Sequence, residues 1–397
     1  MTLENPNLEG YNIVRNLWIK YYKKSAGNFI APEKCSGCYN NEKFVVWAVS
    51  VAVQSVVDGA RIYKELVPLI DPAIDTFQRY KNPHLKGFSA AENNGSDKDI
   101  YYDDDAQVCS AMLTAYEVTG NLKYLDQGRE LTRFLMGGWN DNPNAKNKGG
   151  MKWHLNNAYL NTCTTAETAK CCLQIAKFIP NEEKVYLDFA IKCTDWLVNT
   201  LQDPSDKLFW DGIQDTSDKH NDAKWSYNAG TPLSCAAHLY HYTKDEKWKK
   251  IATDIAKSAI NRNSIIYDRD YDMDKRYWRD SSYFVQLLIE GLADYMLYIG
   301  NEDGLADDIT EEIKRHLVMF YEYMRDPNDG LYIQSFEPHR TYRDVYDKKY
   351  KPKFGDRKGW SLKDEDKSGD KPMKCLMGCG SAARVFFQGA RVVPKID

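Results

Sequence analysis

The sequence predicts an all-α protein, an (α/α)6 toroid of six helical hairpins whose long loops form a cleft at one end. Two observations predict this fold. Apolar stretches of helix length recur in pairs, with a short break inside each pair at residues 120, 180, 244 and 300. Successive breaks are about 60 residues apart, a spacing that fits one helical hairpin and its connecting loop.

Four hairpins are clear from apolar periodicity, and two more complete the ring. Their predicted spans are 42–80, 106–136, 164–201, 232–260 and 282–324, with a sixth made from the terminal segments 11–22 and 381–388. The connections 140–157, 202–230, 265–280 and 326–374 are long, irregular and rich in Gly, Asp and aromatic residues. An open solenoid has short, uniform loops, so these connections favour the toroid. We expect one catalytic domain over residues 1–397.

The composition favours a neutral partner such as a glycan. Aromatic residues make up 13% of the chain, with 27 Tyr and 10 Trp, and such rings stack on the apolar face of sugars as well as packing in cores. The net charge of −4 is spread without a basic stripe, so we expect no nucleic-acid partner. No apolar run reaches the ~18 residues of a membrane span. The N-terminus lacks signal-peptide features, so the protein is expected to be soluble, secreted if an export signal was removed and otherwise cytoplasmic.

The ten cysteines do not form a recognisable metal motif. A zinc site needs a second CxxC or a matched histidine pair, and neither accompanies Cys35 and Cys38 or Cys375 and Cys379. We expect small buried thiols at the five positions on helical patterns, namely Cys109, Cys163, Cys171, Cys172 and Cys193. No phosphate-binding or dinucleotide-binding glycine motif occurs, and the sequence therefore predicts no cofactor and no metal.

The candidate chemistry lies in the run from Tyr101 to Gln107, which contains Asp103, Asp104 and Asp105 at the start of a predicted helix. Acids at this position also have a structural explanation, since they cap the helix and suit the positive end of its dipole. A retaining glycosidase needs two carboxyls about 5–5.5 Å apart, and adjacent residues at a loop-to-helix junction can provide them. A prenyl-diphosphate metal motif would need an acid where Gln107 stands.

Several ordered motifs extend this acidic run. They are Tyr102-Asp103-Asp104 followed by Thr119-Gly120 and Tyr124-Leu125, then Gly149-Gly150-Met151-Lys152-Trp153, Asn157-Ala158, Asn161, Asp211-Gly212, Tyr227-Asn228-Ala229-Gly230 and, more loosely, Gly380-Ser381-Ala382-Ala383. Together they resemble glycoside hydrolase family 76, the endo-α-1,6-mannanases and their fungal wall-remodelling relatives. The resemblance covers about residues 40–300.

The resemblance implies a function and a set of site residues. It implies cleavage of α-1,6-linked mannan or mannooligosaccharides with retention of configuration, by Asp103 as nucleophile and Asp104 as acid/base. The substrate-binding residues that it implies are Tyr102, Trp153, Asn157, Asn161, Trp210, Asp211, Tyr227, Asn228 and Trp278. A core role for each tryptophan is about as probable as a sugar contact.

The chain departs from the family pattern at several points. Gln107 stands where relatives commonly have an aromatic residue, Ala229 replaces a glutamine, and 281–290 lacks basic residues. The basic, tyrosine-rich stretch 340–360 has no counterpart, and is either a solvated loop or a wall of the cleft. These departures bear on substrate length and linkage rather than on mechanism.

Three other functions remain open at the level of sequence. A transglycosylase on mannosyl glycans would use the same two acids, with a sugar hydroxyl in place of water. A non-catalytic carbohydrate-binding toroid is disfavoured by the presence of both Asp103 and Asp104. An isomerase or epimerase would need facing histidines, and His238 and His241 do not form an evident pair. We expect a monomer.

Overall fold

A computed structural model describes residues 2–32, 43–92, 99–337, 343–356, 367–368 and 371–396, and the fold is mostly helical. The α-helices are α1 (Pro6–Tyr21), α2 (Val46–Ala60), α3 (Ile70–Asp75), α4 (Tyr102–Thr119), α5 (Leu122–Met136), α6 (Thr162–Ala176), α7 (Glu183–Thr200), α8 (Ser226–Thr243), α9 (Glu246–Ala259), α10 (Ser282–Tyr298), α11 (Leu305–Met324), α12 (Arg343–Val345), α13 (Lys351–Phe354) and α14 (Leu376–Ala390). The strands are β1 (Tyr22–Lys23), β2 (Asn28–Phe29), β3 (Lys152–His154), β4 (Asn157–Asn161), β5 (Gly212–Gln214), β6 (His220–Asn221), β7 (Lys367–Ser368) and β8 (Lys371–Pro372).

Six inner helices form a closed ring. In ring order α2, α4, α6, α8, α10 and α14 each pack against the next, and α14 returns to pack against α2. The inner helices are buried on almost every side, and every residue of α14 is buried. The outer helices instead bury one stripe, such as Trp248, Ala252, Ile255 and Ala256 of α9. The predicted toroid of helical hairpins is confirmed.

The ring closes through the two ends of the chain, as predicted. Helix α1 packs along α14, so the first and last helices make the sixth hairpin. The breaks also fall where expected, since Gly120 and Gly300 follow α4 and α10 with φ angles of 69° and 81°. One hairpin differs from the prediction, because the partner of α2 is broken into the 3-10 turns Lys64–Leu69 and Thr76–Arg79 around the short α3. Pro68 and Pro72 remove two backbone donors there, which prevents one continuous helix.

A small sheet occupies two of the connections that we expected to be irregular. Strands β3, β4, β5 and β6 form an antiparallel sheet in that order, and β4 pairs with β5 through Leu160 opposite Ile213. Each strand is two to five residues long. Such strands are too short to show a clear alternation in sequence, and the pairing of β4 with β5 is between distant residues.

Two glycines let α8 and α10 approach closely. A Cβ atom on Gly230 would lie 2.3 Å from the carbonyl oxygen of Leu287, and one on Gly291 would lie 2.2 Å from the carbonyl oxygen of Gly230. Only glycine fits a backbone-to-backbone crossing of this kind. The crossing lies just below Tyr227 and Phe284, and it brings the first turns of both helices together.

The basic, tyrosine-rich stretch packs on the outside of the ring where it is described. Residues 343–356 form α12, a π-helical turn at Tyr346–Tyr350 and α13. Tyr350 is buried and donates a hydrogen bond of 2.7 Å to the carbonyl oxygen of Tyr323 on the outer helix α11. Of the two alternatives, a solvated loop does not describe the buried part around Tyr350, and residues 340–342 and 357–360 lie outside the described residues.

The described cysteines are all free and buried, including the five on helical patterns. Cys35 and Cys38 lie outside the described residues. Within the part of the chain that the structure describes, no cluster of His, Cys, Asp and Glu could hold a metal ion, and no helix has the length and apolar character needed to cross a bilayer.

Candidate active site

A cavity of about 580 Å³ opens at the end of the ring where the inner helices begin. The first turns of α2, α4, α6, α8 and α10 supply its floor and one wall, and the sheet supplies the other wall. The lining residues are Val45, Trp47, Ala90, Tyr101, Asp103, Asp104, Gln107, Trp153, Tyr159, Asn161, Cys163, Glu167, Asp211, Asn221, Tyr227, Tyr283, Phe284 and Leu287. Four of these side chains are acidic and none is basic.

The three consecutive acids have different environments. Asp105 is fully buried away from the cavity, and both of its carboxylate oxygens accept a hydrogen bond of 3.1 Å from the backbone N–H of Phe88. Asp103 and Asp104 line the cavity. None of the three acids caps the helix, because the N-cap residue is Tyr101 and it makes no side-chain capping bond. The structure thus separates one structural aspartate from the two that line the cavity.

Asp103 is held by neighbours that stabilise its anion. The indole Nε1 of Trp153 donates to Oδ2 at 3.1 Å, and the thiol of Cys163 donates to the same oxygen at 3.7 Å. Burial raises the pKa of Asp103 to about 6, and these hydrogen bonds limit the increase. Oδ1 is buried and accepts no hydrogen bond from any described residue.

Asp104 has the higher pKa of the two acids. Burial raises its pKa well above the usual range, and the neighbouring carboxylates Asp103, Asp105 and Glu167 raise it further. The charge of Asp103 opposes ionisation of Asp104, so Asp103 is the acid of the pair that loses its proton first as the pH rises.

Asp211 anchors the sheet wall of the cavity. Its Oδ2 accepts hydrogen bonds from the hydroxyl of Tyr159 at 2.6 Å and from Nδ2 of Asn221 at 3.2 Å. Its Oδ1 accepts from Nδ2 of Asn228 at 3.2 Å and from the hydroxyl of Tyr227 at 3.4 Å. The network ties β4, β6 and α8 to one carboxylate and fixes the wall opposite Asp103.

A second polar pair lies one helical turn deeper. Nε2 of Gln107 donates to both carboxylate oxygens of Glu167, at 2.7 and 2.9 Å. Burial raises the pKa of Glu167 to about 8, although nearby Lys170 acts in the opposite direction. We did not identify Glu167 as a site residue from the sequence. Its only signal there is that it is the single acidic residue of its helix, four residues after Cys163.

Six of the predicted site residues line the cavity, namely Asp103, Asp104, Trp153, Asn161, Asp211 and Tyr227. Among the others, Asn228 is buried behind Asp211, and Tyr102 stacks on Phe134 with ring centroids 5.5 Å apart. These two support the site without lining it.

Trp278 is the clearest correction to the predicted site. It is completely buried, its Nε1 donates to the carbonyl oxygen of Ala259 at 3.1 Å, and its ring stacks on His316 at 3.6 Å. A ring packed on both faces within the core cannot stack on a sugar. Trp210 stacks on His220 outside the cavity lining, and the Asn157 side chain accepts from the N–H of Tyr159 in a local turn.

The family model described as glycosyl hydrolase family 76 matches residues 9–336, which is most of the chain. The chain belongs to glycoside hydrolase family 76. This confirms the resemblance seen in the sequence motifs. Membership supports an enzyme of the glycoside hydrolase type.

Curated relatives include fungal proteins. The meiotically up-regulated gene 191 protein of Schizosaccharomyces pombe is 24% identical, over 98% of this chain and 92% of its own length. A mannan endo-1,6-alpha-mannosidase of Saccharomyces cerevisiae is 27% identical over 30% of this chain and 29% of its own.

Solved structures of the family share the fold. The GH76A alpha-1,6-mannanase from Salegentibacter sp. HEL1_6 superposes with a TM-score of 0.74 at 18% identity, covering 98% of this chain and 100% of that one. An inactive variant of that mannanase, with two neighbouring aspartates changed to asparagine and α-1,6-mannotriose bound, gives a TM-score of 0.72 at 18% identity with the same coverage.

Proposed function

We propose that the protein is a retaining glycoside hydrolase that cleaves α-1,6-mannosidic linkages in mannan or mannooligosaccharides. The observation that carries the proposal is the pair Asp103 and Asp104, adjacent in the chain, both lining the cavity and held in unequal environments. Family membership and the mannan-cleaving relatives support the substrate class. The inactive Salegentibacter variant, which lacks two neighbouring aspartates and binds α-1,6-mannotriose, supports the assignment of an adjacent pair.

The environments of the two acids support a role for each in this proposal. A nucleophile must be ionised, and Asp103 has the lower pKa of the pair and two donors on one oxygen. A general acid must hold its proton until the leaving group takes it, and burial together with the neighbouring acids raises the pKa of Asp104 well above its usual range, which suits that role.

The reaction then follows in two displacements. A carboxylate oxygen of Asp103 bonds to the anomeric carbon while the glycosidic C–O bond breaks, and the proton of Asp104 passes to the departing oxygen. The ionised Asp104 next takes a proton from water, whose oxygen bonds to the anomeric carbon and releases Asp103. Each step inverts the anomeric centre, so the product keeps the original configuration.

The test is the release of oligosaccharides from linear α-1,6-mannan by the wild type, Asp103→Asn and Asp104→Asn. We expect each variant to lose at least about 100-fold in rate, the lower range for removal of a positioned acid or nucleophile. Asp105→Asn is the matched control, because that side chain is turned away from the cavity and an amide oxygen can still accept from Phe88. Proton NMR of the first product should show the α-anomer.

Three outcomes would contradict the proposal. Undiminished activity in Asp103→Asn or Asp104→Asn would remove the assigned mechanism. A first product in the β-configuration would exclude retention. Binding of mannooligosaccharides by the wild type without turnover would indicate a carbohydrate-binding toroid instead.

Transglycosylation is a second candidate, favoured by the apolar wall beside the acids. Val45, Trp47, Phe284 and Leu287 line that wall, and Trp47 and Phe284 stack with ring centroids 6.1 Å apart. An acceptor sugar on this surface would exclude water from the glycosyl-enzyme. Added α-1,6-mannobiose should then give products longer than the donor, whereas a hydrolase would give only shorter ones.

A further inference from the structure

Gln107 and Glu167 form a second polar layer beneath the catalytic pair. Gln107 follows Asp103 by four residues on α4, and Glu167 follows Cys163 by four on α6, so each lies one turn deeper on the same helix face. Both side chains are about 5% exposed, and both line the cavity. The layer therefore forms part of the floor on which a ligand beside Asp103 would rest.

The amide of Gln107 has a fixed orientation. Its Nε2 donates to both oxygens of Glu167, and its backbone carbonyl accepts from Nε2 of Gln54 at 2.9 Å. Both oxygens of Glu167 accept from Nε2, as in an ionised carboxylate, which can only accept and so cannot donate to the amide oxygen. Glu167 thus keeps the nitrogen of the amide toward α6 and turns the amide oxygen away from it.

That amide oxygen lacks a donor. Oε1 of Gln107 is buried and accepts no hydrogen bond from any described residue, and the same is true of Oδ1 of Asp103 one turn above. A buried acceptor without a donor is unfavourable, and native interiors rarely leave one unsatisfied. Two such acceptors on one helix face, at the floor of a cavity, are suited to a ligand that brings several hydroxyl donors.

We propose that Gln107 is a specificity-determining residue that accepts a hydrogen bond from one hydroxyl of the sugar bound against Asp103, and that Glu167 is the positioning residue that orients its amide. The proposal rests on the proposed function for the identity of the sugar. It assigns a direct contact with the sugar to the floor of the site, and it gives Glu167 a role other than proton transfer.

The experiment crosses the variant Gln107→Met with substrates that lack single hydroxyls. The readout is kcat/KM on an α-1,6-linked mannosyl donor and on its monodeoxy analogues in the sugar that is transferred. For the wild type, one analogue should be poorer by about 5- to 150-fold, the range for a buried group left unpaired. Gln107→Met should lose a similar factor on the parent donor and show no further loss on that analogue.

Gln174→Met is the matched control. Gln174 also links α6 to α4, donating to Oγ1 of Thr114 at 3.0 Å, but it lies among the residues at the opposite end of the ring. Its substitution should leave the discrimination between parent and analogue unchanged. A loss of discrimination in the control would show that packing between α4 and α6, and not the amide oxygen, produces the effect.

Glu167→Gln tests the positioning role of Glu167. It also keeps the inference testable if Gln107→Met does not fold. A glutamine at 167 can donate to Oε1 of Gln107 as well as accept from Nε2, whereas the ionised carboxylate of Glu167 can only accept, so the comparison is made above the Glu167 pKa of about 8. The ratio of kcat/KM for the parent donor to kcat/KM for the sensitive analogue should fall toward one. An unchanged ratio in either variant would overturn the inference.

Failure of this inference is distinct from failure of the proposed function. Cleavage of the parent donor with equal sensitivity to every deoxy position, in the wild type and in Gln107→Met alike, overturns the role of Gln107 and leaves the mannosidase intact. Absence of both cleavage and binding of α-1,6-mannotriose by the wild type, measured by isothermal titration calorimetry, overturns both.

Discussion

The hydrogen bond from Trp153 to Asp103 gives a prediction that can be worked out from the structure. Trp153→Phe keeps an aromatic ring on the wall but removes the donor that lies 3.1 Å from Oδ2. A hydrogen bond to a charged group contributes about 1.5–3 kcal/mol, and one pKa unit corresponds to about 1.4 kcal/mol. Because Trp153 is 36% exposed, water can replace part of this bond. We therefore expect the substitution to raise the pKa of Asp103 by about one unit.

The direction of the pH effect follows from the role of the Asp103 carboxylate. Asp103 must be ionised to attack, and its pKa is about 6, so activity should fall as the pH falls through that value. Loss of a donor destabilises the anion and raises the pKa toward about 7. At pH 5.5 the ionised fraction, and with it kcat/KM relative to the alkaline plateau, should fall about eightfold from this shift alone.

The assay is the pH profile of kcat/KM for oligosaccharide release, normalised to the plateau of each variant. Normalisation separates the pKa from any lost stacking of the indole on a sugar, which would lower the plateau. Trp18→Phe is the control. Trp18 belongs to the outer helix α1, stacks on Tyr22 and does not line the cavity. An acidic limb that stays in place, or that moves to lower pH, would refute the assignment of that limb to Asp103.

Three further substitutions test the fold and its charges. Gly230→Ala should lower the free energy of unfolding in urea by about 3 kcal/mol, because the added methyl meets the backbone of Leu287; a loss under about 1 kcal/mol would contradict the close crossing. Arg384→Met should lose about 3–5 kcal/mol in the same assay, because it removes the buried cation that pairs with Asp58 at 2.8 Å and with Glu290 at 3.1 Å; near-wild-type stability would contradict this. Glu167→Gln should raise the melting temperature at pH 8.5 but hardly at pH 4.5. The folded pKa of Glu167 is about 8, so the wild-type native state loses stability as the pH rises from the pKa of a glutamate in the unfolded chain through 8. An equal gain in melting temperature at both pH values would contradict this.

The sequence alone predicted the architecture because a toroid is encoded by local pattern. Apolar periodicity locates the hairpins, Gly120 and Gly300 mark two of the breaks, and the long, irregular connections favour a closed ring over an open solenoid. The same logic failed at residues 64–79, where two prolines divide one outer helix, and in the sheet, where strands of a few residues pair across about 50 positions.

The residue pattern located the acidic run and the family resemblance named Asp103 and Asp104 within it, but the pattern alone gave no physical reason to separate these two acids from Asp105. Asp103, Asp104 and Asp105 are identical residues on consecutive positions, and only the orientation of α4 sends one of them to Phe88 and the other two into the cavity. Trp278 shows the converse error, since a tryptophan is equally suited to a core and to a sugar-binding wall.

What only the tertiary structure decided is the set of contacts between elements distant in sequence. Periodicity reports which face of a helix is buried, but not which residue of another helix it meets. The pairing of Gln107 with Glu167, 60 positions apart, exists because α4 and α6 are neighbours in the ring. The sequence by itself determined the ring, the family and the acidic pair, because those depend on local pattern and motif. The depth, charge and floor of the site depend on packing geometry, which no single segment carries.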